Sequence, residues 1–274
     1  MSSKTWFITG TSRGFGRAWA QAALERGDFV AATARDVSSL APLVERYGDK
    51  VAAFELDVTR KSQVDLVVAQ AHDRFGRLDV VINNAGYGLF GAIEEVGEAE
   101  ARAQIETNLF GALWVTKAAL PILRAQRSGH ILQVSSVGGV NAFPTLGLYH
   151  ASKWGLEGFS QALAQEVAGF GIRVTIIEPG GFTTDWSGSS AVRVKPLPEY
   201  DEARAAMAAI RADRRHAMGD PVASGTALLK IVDAKEPPLR VFFGTSGLAM
   251  TREEYARRLE IWEKWNDVSI EAQG

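Results

Sequence analysis

The sequence predicts an α/β fold in one domain spanning residues 1–274, a doubly wound parallel sheet of about seven strands with helices on both faces. Two observations carry this. Short apolar β-type runs at 5–9, 29–33, 51–56, 80–83, 130–135, 173–177 and 239–243 alternate with helical stretches, as in a sheet covered on both sides. The first run leads into a glycine-punctuated turn and then a helix opening, the order that opens a right-handed crossover. With 274 residues, 46% of them hydrophobic, and a formal net charge of -2, the chain suits a single large core.

In chain order, the run Trp6-Phe7-Ile8 precedes Thr9-Gly10-Thr11-Ser12-Arg13-Gly14-Phe15-Gly16, and Ala18 to Leu24 continue as a helix. Gly10 and Gly14 let the backbone turn tightly, Gly16 lets the helix approach the strand, and the helix N-terminus offers free N–H groups to an anion. A dinucleotide site is the expectation, with Gly10, Ser12, Arg13, Gly14, Phe15 and Gly16 around the pyrophosphate. At the end of the second run, an acid would accept hydrogen bonds from a free ribose hydroxyl. Ala34 stands there instead, and Arg35 follows. Arg35 and Arg13 offer two guanidinium forks to a ribose 2'-phosphate, which favours NADP(H) as cofactor. The other reading leaves Arg35 solvated and gives the ribose to Asp36, for NAD.

Tyr149-His150-Ala151-Ser152-Lys153 places a phenol and an ammonium four residues apart, on one face of a helix. A nearby cation favours the phenolate, so Tyr149 could exchange a proton with a substrate oxygen. Tyr-x-x-x-Lys also arises by chance on surface helices. Taken with the glycine turn, Asn83-Asn84-Ala85-Gly86, Asn108, Ser136 and Pro179-Gly180, it makes the chain resemble the short-chain dehydrogenase/reductase family, of Rossmann type, from about Lys4 to about Phe243. The stretch from Glu178 to Trp186 resembles the bacterial hydroxysteroid dehydrogenase-like branch.

The resemblance implies roles. Ser136 and Tyr149 would hold a substrate carbonyl oxygen, Tyr149 and Lys153 would also bind the cofactor, with Lys153 on the nicotinamide ribose, and Asn108 would hold a water that relays protons to the lysine. Ser135 competes with Ser136, because neighbours at a strand end point oppositely, and family spacing selects Ser136. Asp57 and Val58 would contact adenine, although Asp57 could instead cap the helix from Thr59 onward. Asn84, Ala85 and Gly86 would form the floor under the cofactor. Pro179, Gly180, Phe182 and Thr184 would complete the nicotinamide side, with Thr184 on the carboxamide or, in the plainer reading, capping a turn. Asn108 could equally be a buried amide satisfied by backbone.

Tyr87, Leu89, Phe90, Phe143, Leu146, Phe182 and Trp186 follow motif positions near the crevice, without an obvious anion clamp. An apolar ketone or alcohol is the expected substrate, with Leu89, Phe143, Phe182 and Trp186 lining its pocket. Residues at about 185–215 are expected to form a substrate lid, the other reading being an ordinary surface loop, and those at about 250–274 a helical extension with Tyr255, Leu259 and Trp262 on one side, packed onto the body or onto another subunit. Glu178, before Pro179, has no assigned role.

The 30 basic and 32 acidic residues are dispersed, which argues against nucleic acid as a partner. There is no cysteine, and His72, His130, His150 and His216 lack metal-ligand spacing, so no metal is expected. No apolar run approaches the roughly twenty residues of a bilayer span, and Met1 to Lys4 lead straight into a strand, so neither membrane anchor nor signal is expected and residence is cytoplasmic. A homodimer or homotetramer follows from the resemblance. The expected activity is that of an NADPH-dependent carbonyl reductase or alcohol dehydrogenase. An NAD-dependent alcohol dehydrogenase is the alternative. A cofactor-sensing regulator is a further one, but it would be expected to have lost Ser136, Tyr149 or Lys153.

Overall fold

Strand β1 (Thr5–Ile8) lies buried along its whole length in the middle of a seven-stranded parallel sheet. The computed structural model describes residues 3–213 and 218–274. From β1 the chain winds outward through α1 (Gly14–Arg26), β2 (Phe29–Ala34), α2 (Ala41–Tyr47), β3 (Val51–Glu55) and α3 (Lys61–Phe75). It returns to β1's other side as β4 (Val80–Asn83), passes the two-residue β5 (Leu89–Phe90), and forms α4 (Glu98–Ile105) and α5 (Gly111–Gln126). It then builds outward through β6 (Gly129–Val134), α6 (Gly147–Val167) and β7 (Ile172–Pro179). After the short β8 (Val192–Arg193) come α7 (Asp201–Asp213), α8 (Ala223–Asp233), β9 (Arg240–Phe243), α9 (Gly247–Lys264) and α10 (Asn266–Glu271).

The sheet order is β3-β2-β1-β4-β6-β7-β9, so the winding direction reverses between β1 and β4. A ligand crevice belongs outside the carboxyl ends of those two strands. Helices α1, α2 and α8 cover one face around Trp19, Leu43 and Leu228, and α3, α5 and α6 cover the other around Val67, Val115 and Leu163. Both faces are covered, so strands such as Val80–Asn83 are buried at every position and read as largely apolar runs. Each such Val, Ile or Leu stabilises the fold by roughly 1.5–3 kcal/mol.

Between α4 and α5 the helix widens into a π turn, Glu106–Phe110, where the Gly111 N–H bonds back to the Glu106 carbonyl. Such turns collect at functional sites, and this one carries the buried Asn108. β5 and β8 pair in parallel, Leu89 with Val192 and Phe90 with Arg193, which ties the segment after β7 to the loop after β4. That segment holds short helical turns at Asp185–Ser187 and Pro198–Tyr200 before α7. The last residues of the expected lid, Arg214 and Arg215, and also His216, lie outside the described residues.

Helix α9 is pinned near the carboxyl end of β6. Thr251 Oγ1 accepts from Asn141 Nδ2 at 2.8 Å, and the Arg258 guanidinium lies 4.7 Å from the Trp154 ring centre. Tyr255, Leu259 and Trp262 are exposed rather than packed on the body. Among the described residues no helix is long and apolar enough to cross a membrane.

Candidate active site

The turn after β1 is held by backbone sterics. Gly10 has φ +71, a region that L side chains avoid, and Gly14 has φ +57. A Cβ on Gly16 would lie 2.2 Å from the Gly10 carbonyl oxygen, so only glycine lets α1 start this close to the turn. Asn84, just beyond β4, locks the turn from the far side of the switch point. Its Nδ2 donates to the Thr9 and Gly10 carbonyls at 2.9 and 3.1 Å, and Thr9 Oγ1 accepts from the Asn84 and Ala85 N–H groups. Arg17 adds a clamp by donating to the carbonyls of Thr11, Ser12 and Ser39.

The residues present fit a dinucleotide. No side chain caps the N-terminus of α1, and its first turn carries no acid, so its leading N–H groups remain available to an anion. Beside Gly14 there is room, since an added Cβ would touch only Thr184, at 3.8 Å. Thr184 opens the turn Asp185–Ser187 without using its hydroxyl as a cap. Pro179 ends β7, and the Gly180 N–H bonds the Phe243 carbonyl at 2.9 Å.

At the end of β2, Ala34 is buried and Arg35 is exposed. Asp36 is already engaged, its Oδ1 accepting from the Ser38 N–H and hydroxyl at 3.0 and 2.6 Å. Arg13 pairs with Asp185 at 2.9 Å. Donors on Ser189 and Ser190, with a smaller contribution from Arg13, hold Asp185 down to about 2. Asp57 Oδ1 accepts from Thr59 N–H and Oγ1 within the turn ahead of α3, whose N-terminus at Arg60 has no side-chain cap, so Asp57 does not cap that helix, and the Val58 side chain is buried against Gly111.

Ser136, Tyr149 and Lys153 converge from two elements. Ser136 follows β6 and caps the turn Val137–Gly139, its Oγ accepting from the Gly138 N–H at 3.0 Å, and the Tyr149 phenol hydrogen-bonds to it. Ser135 faces the other way, toward Glu157. Lys153 Nζ lies 5.9 Å from the Tyr149 ring centre and donates to the Val134 carbonyl at 2.7 Å. Both groups are buried.

Burial, not the lysine, dominates the tyrosine. It pushes the phenol up to about 12, opposed by the Ser136 hydrogen bond, which corrects the expectation that Lys153 would lower it. Burial also drives Lys153 down to about 8, opposed by the charge of Glu157. Removing charge from water disfavours both ions, and burial is the largest influence on each.

Asn108 is committed within the protein. Its Oδ1 accepts from the Tyr87 N–H at 3.1 Å, and its Nδ2 donates to the Tyr87 carbonyl and to Ser152 Oγ at 3.0 and 3.2 Å. The side chain thus fixes the loop after β4 beside α6. A Cβ on Gly86 would approach Asn108 Oδ1 to 3.0 Å and Lys153 Nζ to 3.7 Å, so Gly86 leaves the space above both open.

Two positioning residues went unread in the sequence, although both stand inside the Tyr-x-x-x-Lys stretch. Ser152 Oγ donates to the Tyr149 carbonyl at 2.7 Å. His150 Nε2 accepts from the Phe143 N–H at 2.9 Å, so its Nδ1 carries the proton given to the Gly138 carbonyl at 2.8 Å. Burial keeps this imidazole neutral, its pKa lowered.

The apolar wall differs in part from expectation. Trp186 packs on Tyr149 and Phe90, with ring centres 5.0 and 5.2 Å apart, and Leu146 joins the same cluster. Phe143 stands one ring away, edge-on to His150 at 5.5 Å. Leu89 is fully buried, so its side chain faces no open pocket. Phe182 packs edge-on to Phe15 at 4.9 Å and over Gly219, on the α1 side and away from the Tyr149 cluster. Phe182 stands off the Tyr149 wall because Phe15 and the turn at Gly219 hold it.

The short chain dehydrogenase family profile matches residues 4–193. An oxidoreductase of Botryotinia fuckeliana is 46% identical over 276 residues, covering 98% of each chain. A 3-ketodihydrosphingosine reductase of Bacteroides thetaiotaomicron is 38% identical over 239 residues, covering 86% of each. A short-chain dehydrogenase structure from Streptomyces avermitilis superposes with TM-score 0.91 at 37% identity, over 98% of both chains. An alcohol dehydrogenase from the archaeon Thermococcus sibiricus, complexed with 5-hydroxy-NADP, gives TM-score 0.73 at 28% identity over 89% of this chain and 97% of its own. Another neighbour of the fold is complexed with NAD.

Proposed function

The chain belongs to the short-chain dehydrogenase family of oxidoreductases, and from that premise we propose that it is an NADPH-dependent carbonyl reductase acting on apolar ketones, or on the matching secondary alcohols in reverse. The observation that carries the reading is the meeting of Ser136, Tyr149 and Lys153 beneath an apolar cover led by Trp186.

A bound nicotinamide supplies the carbon that gives or takes the hydride. The protein's own groups do the rest. Tyr149, held at about 12, stays protonated at neutral pH and is the proton donor to the substrate oxygen in the reducing direction. Ser136 Oγ points a hydrogen bond at the oxygen on which negative charge develops. Lys153 places a cation beside both while it remains protonated. Trp186, Phe90 and Leu146 exclude water from the reacting carbonyl, and they suit an apolar substrate better than a charged one. The reductase of Bacteroides thetaiotaomicron, named for a ketone substrate, supports the same class.

Preference for NADPH rests on Arg35. It is exposed at the end of β2, no carboxylate stands at Ala34, and Asp36 is turned to Ser38. Arg13 contributes less than the sequence suggested, because Asp185 already holds it.

The test is NADPH oxidation against a panel of apolar cyclic, aromatic and long-chain ketones, with charged keto acids and NADH run in parallel. Turnover of apolar ketones with NADPH is expected. Equal turnover of keto acids would overturn the substrate class, and equal kcat/KM with NADH would overturn the cofactor preference.

A further inference from the structure

Tyr149, Lys153 and Glu157 stand at intervals of four residues along α6, so the row that begins with the phenol ends on a buried carboxylate. Glu157 meets Glu178 from the end of β7 and Arg240 from β9. Arg240 Nε is 3.0 Å from Glu157 Oε2 and 3.6 Å from Glu178 Oε1, and its Nη2 donates to Gln161 Oε1 at 2.9 Å. The two carboxyl side chains are 8% and 1% exposed. Ser135, at the end of β6, closes the pocket together with Gly139, where a Cβ would lie 2.3 Å from Ser135 Oγ and 3.1 Å from Glu157 Oε1. The charged groups facing Glu157 are therefore Lys153 on its own helix, Glu178 on β7 and Arg240 on β9.

Lys153 and the nearer contact of Arg240 both serve Glu157, so Glu178 is left with only the longer approach of the Arg240 guanidinium at 3.6 Å. Glu178 Oε1 is buried without a hydrogen-bond donor, and Glu157 Oε1 has only the facing Ser135 hydroxyl. Buried acceptors left in this way are costly, and two adjacent carboxyls resolve the cost by sharing a proton. The nearer approach of Arg240 to Glu157 leaves Glu178 as the protonated partner.

We propose that Glu178 and Glu157 hold a single proton between them, and that Glu157, one helical turn beyond Lys153, is a positioning residue whose negative charge keeps the Lys153 ammonium protonated at the site. The role in turnover rests on the reductase reading above, whereas the shared proton does not. Burial and the Glu157 charge push Glu178 up to about 8, and Glu157 opposes the downward drift of Lys153, in keeping with this arrangement.

Glu178→Gln keeps a hydrogen-bond donor toward Glu157 but removes the titration. Glu157→Gln removes the charge that faces Lys153. The infrared carbonyl band of a protonated carboxylic acid is expected in the wild-type chain at pH 6, and is expected to be lost in Glu178→Gln. Glu178 rises from an ordinary 4.5 to about 8, so between those values the folded chain binds the additional proton and stability falls as pH rises. That slope should flatten in Glu178→Gln. Absence of the band, or an unchanged slope, would overturn the shared proton even if no carbonyl substrate were found.

In the pH profile of kcat for ketone reduction, the alkaline limb should move to lower pH by roughly one unit in Glu157→Gln, as expected for loss of an opposite charge near a buried ammonium. In Glu178→Gln the limb should stay in place. A limb that stays fixed in Glu157→Gln, or moves equally in both variants, would overturn the positioning role. A purely structural role would lower melting temperature without moving the limb.

Discussion

The nucleotide end and the substrate end of the crevice are built on different principles. Around β1 the shape is set by backbone: Gly10 takes a positive φ, Gly16 has no room for a methyl group, and Asn84 ties two turns together through main-chain carbonyls. Around Tyr149 the shape is set by side chains, with Trp186 reaching across from the segment after β7, Leu146 supporting from below, and the Arg13 to Asp185 pair bridging the two ends. A backbone-built site tolerates almost no substitution at its glycines and accepts the same ligand in many proteins. A side-chain-built site can change its ligand while the scaffold stands.

The sharpest way to separate the ends is Tyr149→Phe. It deletes one oxygen at the substrate end, and kcat for ketone reduction should fall by about 10³-fold, within the usual span for losing a positioned acid. Cofactor affinity, read by fluorescence titration with NADPH, should change little. A comparable loss of affinity would mean that the two ends are not separable.

Gly16→Ala attacks the other end. Its Cβ would meet the Gly10 carbonyl oxygen at 2.2 Å, so the helix or the turn must shift. Overpacking of this kind costs about 1–3 kcal/mol, and melting temperature and NADPH affinity should fall together. Unchanged affinity would refute the claim that backbone sterics shape this half.

Arg35→Ala is expected to act on cofactor choice alone. Loss of charge-assisted hydrogen bonds worth about 1.5–3 kcal/mol should raise KM for NADPH by roughly tenfold to a hundredfold and leave KM for NADH nearly unchanged. Equal effects on both would place Arg35 away from the 2'-phosphate. The smallest effect is expected for Asp185→Asn, which breaks an exposed pair with Arg13 and should change either KM by less than about fivefold. A larger change would make that bridge a working part of both ends.

The same contrast governs what could be read from the sequence. The inner strands of the sheet were legible because burial on both faces keeps them largely apolar, the half-buried edge strands β3 and β9 by their place in the alternation with helices, and the glycine turn because only glycine satisfies its geometry. The segment 185–213 was legible as irregular but not in its contacts. Two-residue strands such as β5 and β8 carry no periodicity, and nothing local tells that Arg13 finds Asp185 far along the chain.

Aromatic residues next to motifs were the least informative. Trp186 and Phe182 stand four positions apart in one stretch, yet one packs over Tyr149 and the other behind the glycine turn on Phe15. The resemblance supplied Asn108, but the π turn that turns it inward and its bonds to Tyr87 and Ser152 are tertiary features. Spacing reveals the charge beside Tyr149 but not the depth of burial that raises its pKa.

The most direct test of the central claim is transfer of label from NADPH deuterated at the nicotinamide C4 to the best apolar ketone of the panel, followed by mass spectrometry of the alcohol. Deuterium on the carbinol carbon, at a rate that collapses in Tyr149→Phe, is the expected result. Alcohol formed without the label, or no difference between the two chains, would contradict direct hydride transfer beside a tyrosine acid.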